Sequence, residues 1–401
     1  MMDAAGLWRG RTAIYAIAFL MDLCVGCAAL GVILYADDLG ASALKLGIVG
    51  ATAFAYTVAC LFTGRLSDVW GRKRVAGLGA LVYAGVYLAI TRVHTIPHLV
   101  LLAALGSGAV GFFWPPMQAW LGEQRDKRSL SRSLGIFNVC WSIGLVLGPV
   151  LTTWLRKLGA IAPFYFASAT AVLILVMMLL TRRDGRTPEE VEPPAVAPRV
   201  AMTFLHVAWI ANFASWFMSN SVKTLLPKLT RATSVPDTTL GWLVATVAIA
   251  QTVMFIATRF SDRWQYNLKP LVFFQALGAT GMVIVALGNS PATWATGIAM
   301  AGLCAGMTYS ASLFYSLHGR SAGHGARTGM HEAILGSGIL MGPLAGGWAI
   351  DATGGNLHVP YILAAAVAAA ALVAVVTLFA LRTRAEAARA EVPEPRPTAG
   401  K

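Results

Sequence analysis

Charged residues are scarce in this chain. Asp, Glu, Lys and Arg make up 12% of its 401 residues, whereas 57% of the residues are hydrophobic. Soluble globular proteins carry roughly 25% charged residues, so the composition excludes a soluble globule and predicts an integral membrane protein. The net charge of +13 does not indicate nucleic-acid binding, because the cations lie in short segments between apolar runs and not on a soluble domain.

Cysteines are also few, and all five lie inside apolar runs, where a thiol behaves as a small hydrophobic group. The sequence therefore predicts no disulfide framework. Cys24 and Cys27 have the spacing of a metal or redox pair, but no second pair exists, and no metal site is predicted. His318, His324 and His331 are expected to be solvated or to cap helices.

Phosphate-binding loops and clustered catalytic side chains are missing too. We therefore expect neither an enzyme nor an ATP-driven pump, and no cofactor beyond a proton or ion gradient as the driving force. The expected partners are a small-molecule substrate and membrane lipid, without nucleic acid. The protein is expected to function as a monomer.

Apolar runs of about twenty residues, the length that a membrane helix requires, are what the sequence does contain. Twelve such runs predict an all-α protein with twelve transmembrane helices. The predicted units are a six-helix bundle over residues 1–181, a charged, proline-containing linker over 182–201, a second six-helix bundle over 202–381 and a tail over 382–401 that is expected to be disordered.

The positions of the cations predict the orientation. With a cytoplasmic N-terminus, 24 of the 31 lysines and arginines lie on the cytoplasmic side and six on the other, and Lys223 lies within a helix. Lysine and arginine are retained on the cytoplasmic side during insertion. We therefore expect a multi-pass protein of the inner (cytoplasmic) membrane with both termini in the cytoplasm.

The two halves repeat. A shift of 194 residues places Gly144 on Gly338, Gly148 on Gly342 and Pro149 on Pro343 without a gap. Because Gly and Pro restrict backbone geometry, this agreement predicts two similar six-helix bundles.

The segment between the second and third spans carries a recognisable pattern. Gly64, Asp68, Gly71, Arg72 and Lys73 match the loop signature of the major facilitator superfamily, although Val69 stands where the family usually has a basic residue. The chain thus resembles a secondary transporter with two parallel repeats and a binding site between them. The resemblance implies a conformational gate formed by Gly64, Asp68, Gly71, Arg72, Lys73, Arg74 and, through the repeat, Asp262. Asp68 is expected to dock at the start of the eleventh span, near Gly329 and Met330.

Two further patterns resemble family signatures only in part. The fifth span has Gly144, Gly148 and Pro149, as in family antiporters, but Thr152 and Thr153 occupy the positions of the usual glycine pair. A general packing groove between the halves is the alternative interpretation.

In the fourth span Leu102 replaces the arginine that the family associates with proton coupling. Further along that span, the sequence around Pro115 and Pro116 is expected to break the helix.

Charges and polar stripes within the spans predict the functional residues, because an intramembrane charge is costly and faces protein or water. The resemblance places the first, fourth, seventh and tenth spans around a central cavity. The predicted substrate cavity comprises Asp22, Trp114, Asn138, Trp141, Asn212, Trp216, Asn220, Lys223, Gln251 and Tyr309. Asp22 and Glu332 are the predicted proton-coupling residues. A structural ion pair between Asp22 and Lys223 is the alternative.

These patterns favour a secondary active transporter that exports a small organic solute by proton antiport through alternating access. Proton-coupled or facilitated uptake of an anionic or zwitterionic metabolite is the first alternative. A sensor of the same fold that does not transport is the second.

Overall fold

The computed structural model describes residues 11–123, 130–181, 198–317 and 324–390, and within these residues the chain forms thirteen α-helices and no β-strand. The helices are α1 (Arg11–Asp38), α2 (Ala43–Gly50), α3 (Ala53–Trp70), α4 (Arg72–Ile90), α5 (Ile96–Glu123), α6 (Leu130–Leu155), α7 (Ala162–Leu180), α8 (Pro198–Ala232), α9 (Asp237–Phe260), α10 (Leu268–Leu287), α11 (Pro291–Leu317), α12 (His324–Ala352) and α13 (Val359–Ala390).

Twelve helical segments in the described ranges are long and apolar enough to cross a membrane. Helices α2 and α3 together form one of them, Ala43–Trp70. This confirms the predicted fold class of twelve transmembrane helices. We call the end of the bundle at which α1 ends the Asp37 end, and the opposite end, where α3 joins α4, the Asp68 end.

The repeat predicted from the sequence is visible in the packing of equivalent helices. A Cβ atom at Gly144 of α6 would lie 2.5 Å from the carbonyl oxygen of Phe19 on α1. At Gly338 of α12 it would lie 2.5 Å from the carbonyl oxygen of Phe213 on α8, and Phe213 is the residue that the 194-residue shift places on Phe19. Glycine thus lets α6 approach α1 in the first half as closely as α12 approaches α8 in the second.

The halves meet each other through a second pair of equivalent contacts. A Cβ atom at Gly47 of α2 would lie 2.6 Å from the carbonyl oxygen of Pro343, and one at Gly241 of α9 would lie 3.2 Å from that of Pro149. Each contact joins one half to the other, and the repeat relates the two. The small residues therefore bring the two bundles together near the Asp37 end.

The prediction that the fourth span breaks at its prolines is wrong, because α5 continues through Pro115 and Pro116. A proline removes the hydrogen bond to the carbonyl four residues before it, which for Pro115 is the carbonyl of Gly111. Here the hydroxyl of Thr63 on α3 donates to that oxygen at 2.7 Å. A side chain from the neighbouring helix thus satisfies the freed carbonyl, as membrane helices require.

Two predicted boundaries differ from the observed helix ends. Helix α8 begins at Pro198, inside the predicted linker, whose residues 182–197 lie outside the described ranges. Helix α13 continues beyond residue 381 to Ala390, because the start of the predicted tail is rich in Ala, Arg and Glu, which favour helices. Residues 391–401 of the tail lie outside the described ranges.

Candidate functional site

A cavity of about 250 Å³ lies between the two halves of the bundle. Its lining includes two acidic side chains and one basic side chain, Asp22 of α1, Glu332 of α12 and Lys223 of α8. Small-molecule sites in proteins have volumes of about 300 to 1,000 Å³, so this cavity suits a small ligand. Both halves contribute charged groups to it.

Asp22 and Lys223 face the same cavity without forming a direct ion pair. Asp22 is 6% exposed, and the Lys223 ammonium lies 5.2 Å from the centroid of the Trp216 ring. Among the described residues, no carboxylate lies within 4.0 Å of the Lys223 nitrogen, and no side chain donates a hydrogen bond to Asp22. The structural pair considered as an alternative is therefore not formed in this structure.

Aromatic rings from both halves form one wall of the cavity. The ring centroids of Trp141 and Tyr309 are 5.1 Å apart, those of Trp216 and Tyr309 are 6.2 Å apart, and those of Trp114 and Trp141 are 6.4 Å apart. All four residues belong to the predicted substrate cavity, and all four line the observed one.

Glu332 is held by hydrogen bonds from the other half of the chain. Tyr56 of α3 donates its hydroxyl proton to one carboxylate oxygen, and Gln118 of α5 donates from Nε2 to the other. Gln118 also donates to the hydroxyl of Tyr309 at 3.1 Å. The Glu332 cluster, formed by Tyr56, Gln118, Tyr309 and Glu332, thus joins the two halves on the side of the cavity toward the Asp68 end.

His331 extends this cluster. It is fully buried, its Nε2 lies 3.6 Å from a Glu332 oxygen, and its Nδ1 lies 2.6 Å from the hydroxyl of Ser312. The expected solvated or capping role is therefore wrong for His331. His318 lies outside the described residues, and the side chain of His324 is not described.

Of the four remaining residues predicted to line the cavity, one does so, one lines a separate pocket and two are buried elsewhere. Asn220 lines the cavity, and its amide donates to the carbonyl of Trp216 at 3.0 Å. Asn138 lines a small separate pocket beside Leu134 and accepts a hydrogen bond from Trp141 Nε1 at 3.1 Å.

Asn212 and Gln251 are buried within the C-terminal half and are not among the residues that line the cavity. Both polar atoms of the Asn212 side chain and the amide nitrogen of Gln251 have no hydrogen-bond partner in the described part of the chain. Their assignment to substrate binding stays a prediction.

The segment Gly64–Arg74 comprises the end of α3, Gly71 and the start of α4. Gly71 has φ +95°, a conformation that favours glycine. Asp68 is exposed and pairs with Arg72 one turn further on, and Arg72 also donates to the Ser67 hydroxyl at 2.5 Å and to the carbonyl of Gly64 at 3.3 Å.

The remaining predicted gate residues lie at the same end. The Lys73 ammonium donates to the carbonyls of Leu179 and Thr181 at 3.1 and 2.8 Å, which ties the start of α4 to the end of α7. Arg74 is exposed, and exposed Asp262 accepts a hydrogen bond from Gln265 at 2.7 Å.

The predicted docking of Asp68 on Gly329 and Met330 assumed that the eleventh span begins there. Helix α12 begins at His324, so Gly329 lies in its second turn. There Gly329 packs against α3, since a Cβ atom would lie 2.5 Å from the carbonyl oxygen of Cys60. The observed partner of Asp68 is Arg72, and its role as a gate stays a prediction.

A cluster of ion pairs at the Asp37 end was not predicted from the sequence. Asp37, on α1, pairs with Lys228 at 2.7 Å and with Arg231, both on α8. Asp38 pairs at 2.6 Å with Arg156, the residue that follows α6, and with Arg231 at 3.2 Å. We call these five residues the Asp37 cluster, and it joins the two halves on the side of the cavity opposite the Glu332 cluster.

Tyr56, Gln118 and His331 were also missed as site residues. The available signal was a polar side chain within an apolar span, which had singled out Asp22 and Glu332. Gln118 follows Trp114 by four residues and therefore lies on the same helical face, so its proximity to the cavity could have been found.

The model of the Major Facilitator Superfamily matches the chain twice, over residues 14–208 and 208–400. The chain belongs to the major facilitator superfamily. Each match covers about one six-helix half, in agreement with the repeated packing of α1 with α6 and of α8 with α12. The protein is therefore a multi-pass membrane protein of a transporter family.

Curated relatives include the uncharacterized MFS-type transporter MJ1560 of Methanocaldococcus jannaschii, 27% identical over 212 residues, and Quinolone resistance protein NorA of Staphylococcus aureus, 24% identical over 174 residues. These matches cover 52% and 43% of this chain and 54% and 45% of the relatives. The chain thus spans about half the length of the curated relatives that it matches.

Solved structures with the same fold include the human organic anion transporter MFSD10 (TETRAN) and a mutant of the nucleoside transporter NupG. Their TM-scores are 0.70 and 0.65 at 15% and 14% identity. The similarity covers 91% and 92% of this chain and 98% and 99% of those chains. At these identities the likeness shows the fold alone.

Proposed function

We propose that this protein is a secondary active transporter that exports a small organic solute in exchange for protons. The observation that carries this proposal is the cavity between the halves, which both halves line with ionisable side chains. Family members bind substrate at such an interface and expose it alternately on each side of the membrane. The three charges in a largely apolar lining point to binding and coupling roles, because structural packing alone does not need them.

Glu332 and Asp22 are the proposed proton carriers. A carboxyl exchanges protons when its surroundings change between buried and hydrated, and each of these two groups lies at the cavity. Ionised Glu332 only accepts hydrogen bonds, whereas its protonated form can also donate one. Proton exchange at Glu332 would therefore change the hydrogen bonds that join Tyr56 and Gln118 to the other half.

The proposed orientation places the Asp68 end and both termini in the cytoplasm. The support is the fourfold excess of lysine and arginine on that side of the predicted spans. The proposed location is the cytoplasmic membrane, and the proposed functional unit is the monomer, with a proton gradient and no bound cofactor.

Export is favoured by two observations. One relative is named for quinolone resistance, and the Gly144–Pro149 pattern that resembles family antiporters packs α6 tightly on α1. Proton-coupled or facilitated uptake is the second candidate. Leu102 replaces the arginine that the family associates with proton coupling, and this weakens the case for proton antiport.

The test is proton movement in proteoliposomes that contain a pH-sensitive dye. Addition of solutes from a panel of metabolites and drugs should, for at least one solute, move protons in the direction opposite to the solute. Glu332→Gln should abolish this proton movement, whereas the control Asp351→Asn, which changes an exposed carboxylate on α12 outside the cavity, should not. Solute transport without proton movement would contradict the proposed proton coupling. If no solute of the panel were transported, the proposal that the protein is a transporter would be contradicted.

A further inference from the structure

The charges that face the cavity differ in sign and stand on different halves of the protein. Asp22 is on α1, and Lys223 is on α8. Within the described residues neither has an opposite charge within 4.0 Å, although both line one cavity. Asp22 is buried and Lys223 is half-buried, and a charge that is withdrawn from water without a partner is costly. Each of these two groups is therefore available to a ligand of opposite charge.

Glu332 differs from Asp22 in this respect. Both of its carboxylate oxygens accept hydrogen bonds, one from Tyr56 and one from Gln118. The protein itself already satisfies this carboxylate. Of the three acidic or basic groups at the cavity, the two that lack such partners are the acid Asp22 and the base Lys223.

We propose that the cavity binds an aromatic zwitterion, with the carboxylate of the ligand at Lys223, its cationic group at Asp22 and its ring against the aromatic wall. This inference rests on the proposed function and names the class of its substrate.

Ligands with one charge fit the site less well. A simple anion would pair with Lys223 and leave Asp22 without a partner, and a simple cation would do the reverse. A zwitterion satisfies both, and it brings no net charge into the membrane-spanning region, where charge is costly.

The aromatic wall accounts for the ring of the ligand. Trp141 and Tyr309 come from different halves, and their centroids are 5.1 Å apart. Aromatic rings prefer edge-to-face contacts with centroids about 4.5 to 7 Å apart, so the ring of a ligand can extend this wall into the cavity. Trp216 lies beneath the Lys223 ammonium at 5.2 Å and belongs to the same wall. The anchor for the carboxylate is thus next to the surface for the ring, and the volume of about 250 Å³ limits the ligand to a small molecule.

The test uses four probes that share one ring and one carbon skeleton, with the amine free or acetylated and the carboxylate free or amidated, so that the charges at the two ends vary independently. Phenylalanine is the zwitterion, N-acetylphenylalanine the anion, phenylalaninamide the cation and N-acetylphenylalaninamide the neutral member. Calorimetric titration of the purified full-length protein should give a dissociation constant for phenylalanine at least about tenfold lower than for each other probe, as expected when a charge-assisted hydrogen bond is lost. If the unmodified protein bound the neutral probe as tightly as phenylalanine, or bound none of the four probes, the proposal would be overturned.

Two variants assign the ends of the ligand. Lys223→Met should weaken phenylalanine binding at least about tenfold and make phenylalaninamide the preferred probe, and Asp22→Asn should make N-acetylphenylalanine preferred. Lys45→Met and Asp351→Asn change exposed charges outside the cavity and should leave the order of the four probes unchanged. Unchanged preferences in Lys223→Met and Asp22→Asn would overturn the assignment.

The two proposals can fail separately. Proton movement driven only by singly charged or neutral solutes would support proton-coupled transport and contradict the proposal that the substrate is a zwitterion. Preferential phenylalanine binding without movement of protons or solute in proteoliposomes would support the site and contradict transport.

Discussion

Glu332 and Asp22 are both carboxylates at one cavity, yet their surroundings give them different tasks. Glu332 accepts hydrogen bonds from Tyr56 and Gln118 of the other half, so its protonation state bears on how the halves hold together. Asp22 has no such donors in the described part of the chain and faces the cavity. Glu332 therefore suits proton coupling between the halves, and Asp22 suits both proton exchange and contact with a ligand.

The link between Gln118 and Glu332 can be measured as a coupling energy. Gln118→Leu removes a hydrogen bond to a charged group and should lower the free energy of unfolding by about 1.5–3 kcal/mol. In a Glu332→Gln background the loss should be smaller, because the charge is gone. The measurement is a double-mutant cycle of unfolding free energies in detergent micelles.

Gln275→Leu is the matched control for that cycle. Gln275 is equally buried, and its amide donates to the carbonyl of Ala368 at 3.4 Å, away from the cavity. Its effect should add to that of Glu332→Gln without coupling. Equal coupling for Gln118 and Gln275 would show that the Glu332 cluster does not act as a unit.

Among the helices, the pairs α1–α6 and α8–α12 form equivalent rigid contacts within the two halves. The repeat relates these contacts residue by residue. Gly144 lies against the carbonyl oxygen of Phe19, and Gly338 lies against that of Phe213. Thr152 adds a hydrogen bond between α6 and α1, from its hydroxyl to the carbonyl of Cys27 at 2.8 Å. Each pair should therefore move as one body when the halves rotate against each other.

Gly144→Ala and Gly338→Ala test this packing. In each case the new methyl group would lie about 2.5 Å from a backbone carbonyl oxygen, which cannot move without the helix. Both substitutions should lower the free energy of unfolding by about 1–3 kcal/mol, as in other overpacked interiors. The melting temperatures should fall accordingly. The control Gly85→Ala meets no atom within 4 Å and should instead stabilise α4 by up to about 1 kcal/mol. Similar melting temperatures for the three variants would refute the close approach.

The sequence predicted the spans and the repeat well because both depend on local patterns. The length of an apolar run sets a span, and equivalent glycines and prolines such as Gly144 and Gly338 set equivalent backbones. The break predicted at Pro115 was wrong because the repair comes from Thr63, which lies 48 residues before the carbonyl that it contacts.

The site was harder to predict from the sequence because its contacts are distant in the chain. Asp22, Lys223 and the tryptophans could be found as polar or aromatic residues in predicted spans. The bond from Tyr56 to Glu332 joins residues 276 apart, and that from Gln118 joins residues 214 apart. No local pattern indicates such pairs, nor the pairing of Asp37 with Lys228 and Arg231.

On the scale of the whole molecule, the two halves are joined on both sides of the cavity. The Asp37 cluster joins them at the Asp37 end. The Glu332 cluster joins them on the side of the cavity toward the Asp68 end. Alternating access requires one connection to open while the other holds. The Lys228 and Arg231 side chains that pair with Asp37 are 27% and 31% exposed, so water reaches these ion pairs, and breaking them should cost on the order of 1 kcal/mol. A change of this size is enough to shift a balanced equilibrium severalfold.

The most direct test is the distance between the halves at each end, measured by pulsed electron spin resonance on spin-labelled pairs in a background without the five native cysteines. One pair, at Arg92 and Asn289, reports on the Asp37 end, and the other, at Val69 and Arg263, reports on the Asp68 end. All four positions are exposed, and none belongs to the cavity or to either cluster.

A change of pH that alters the protonation of Glu332, or the addition of phenylalanine, should lengthen one distance and shorten the other. Asp37→Asn should shift the Arg92–Asn289 distance toward longer values relative to the control Asp351→Asn. Opposite changes at the two ends are the result that proton-coupled alternating access predicts. Distances that stay fixed under every condition, or that lengthen together, would contradict it.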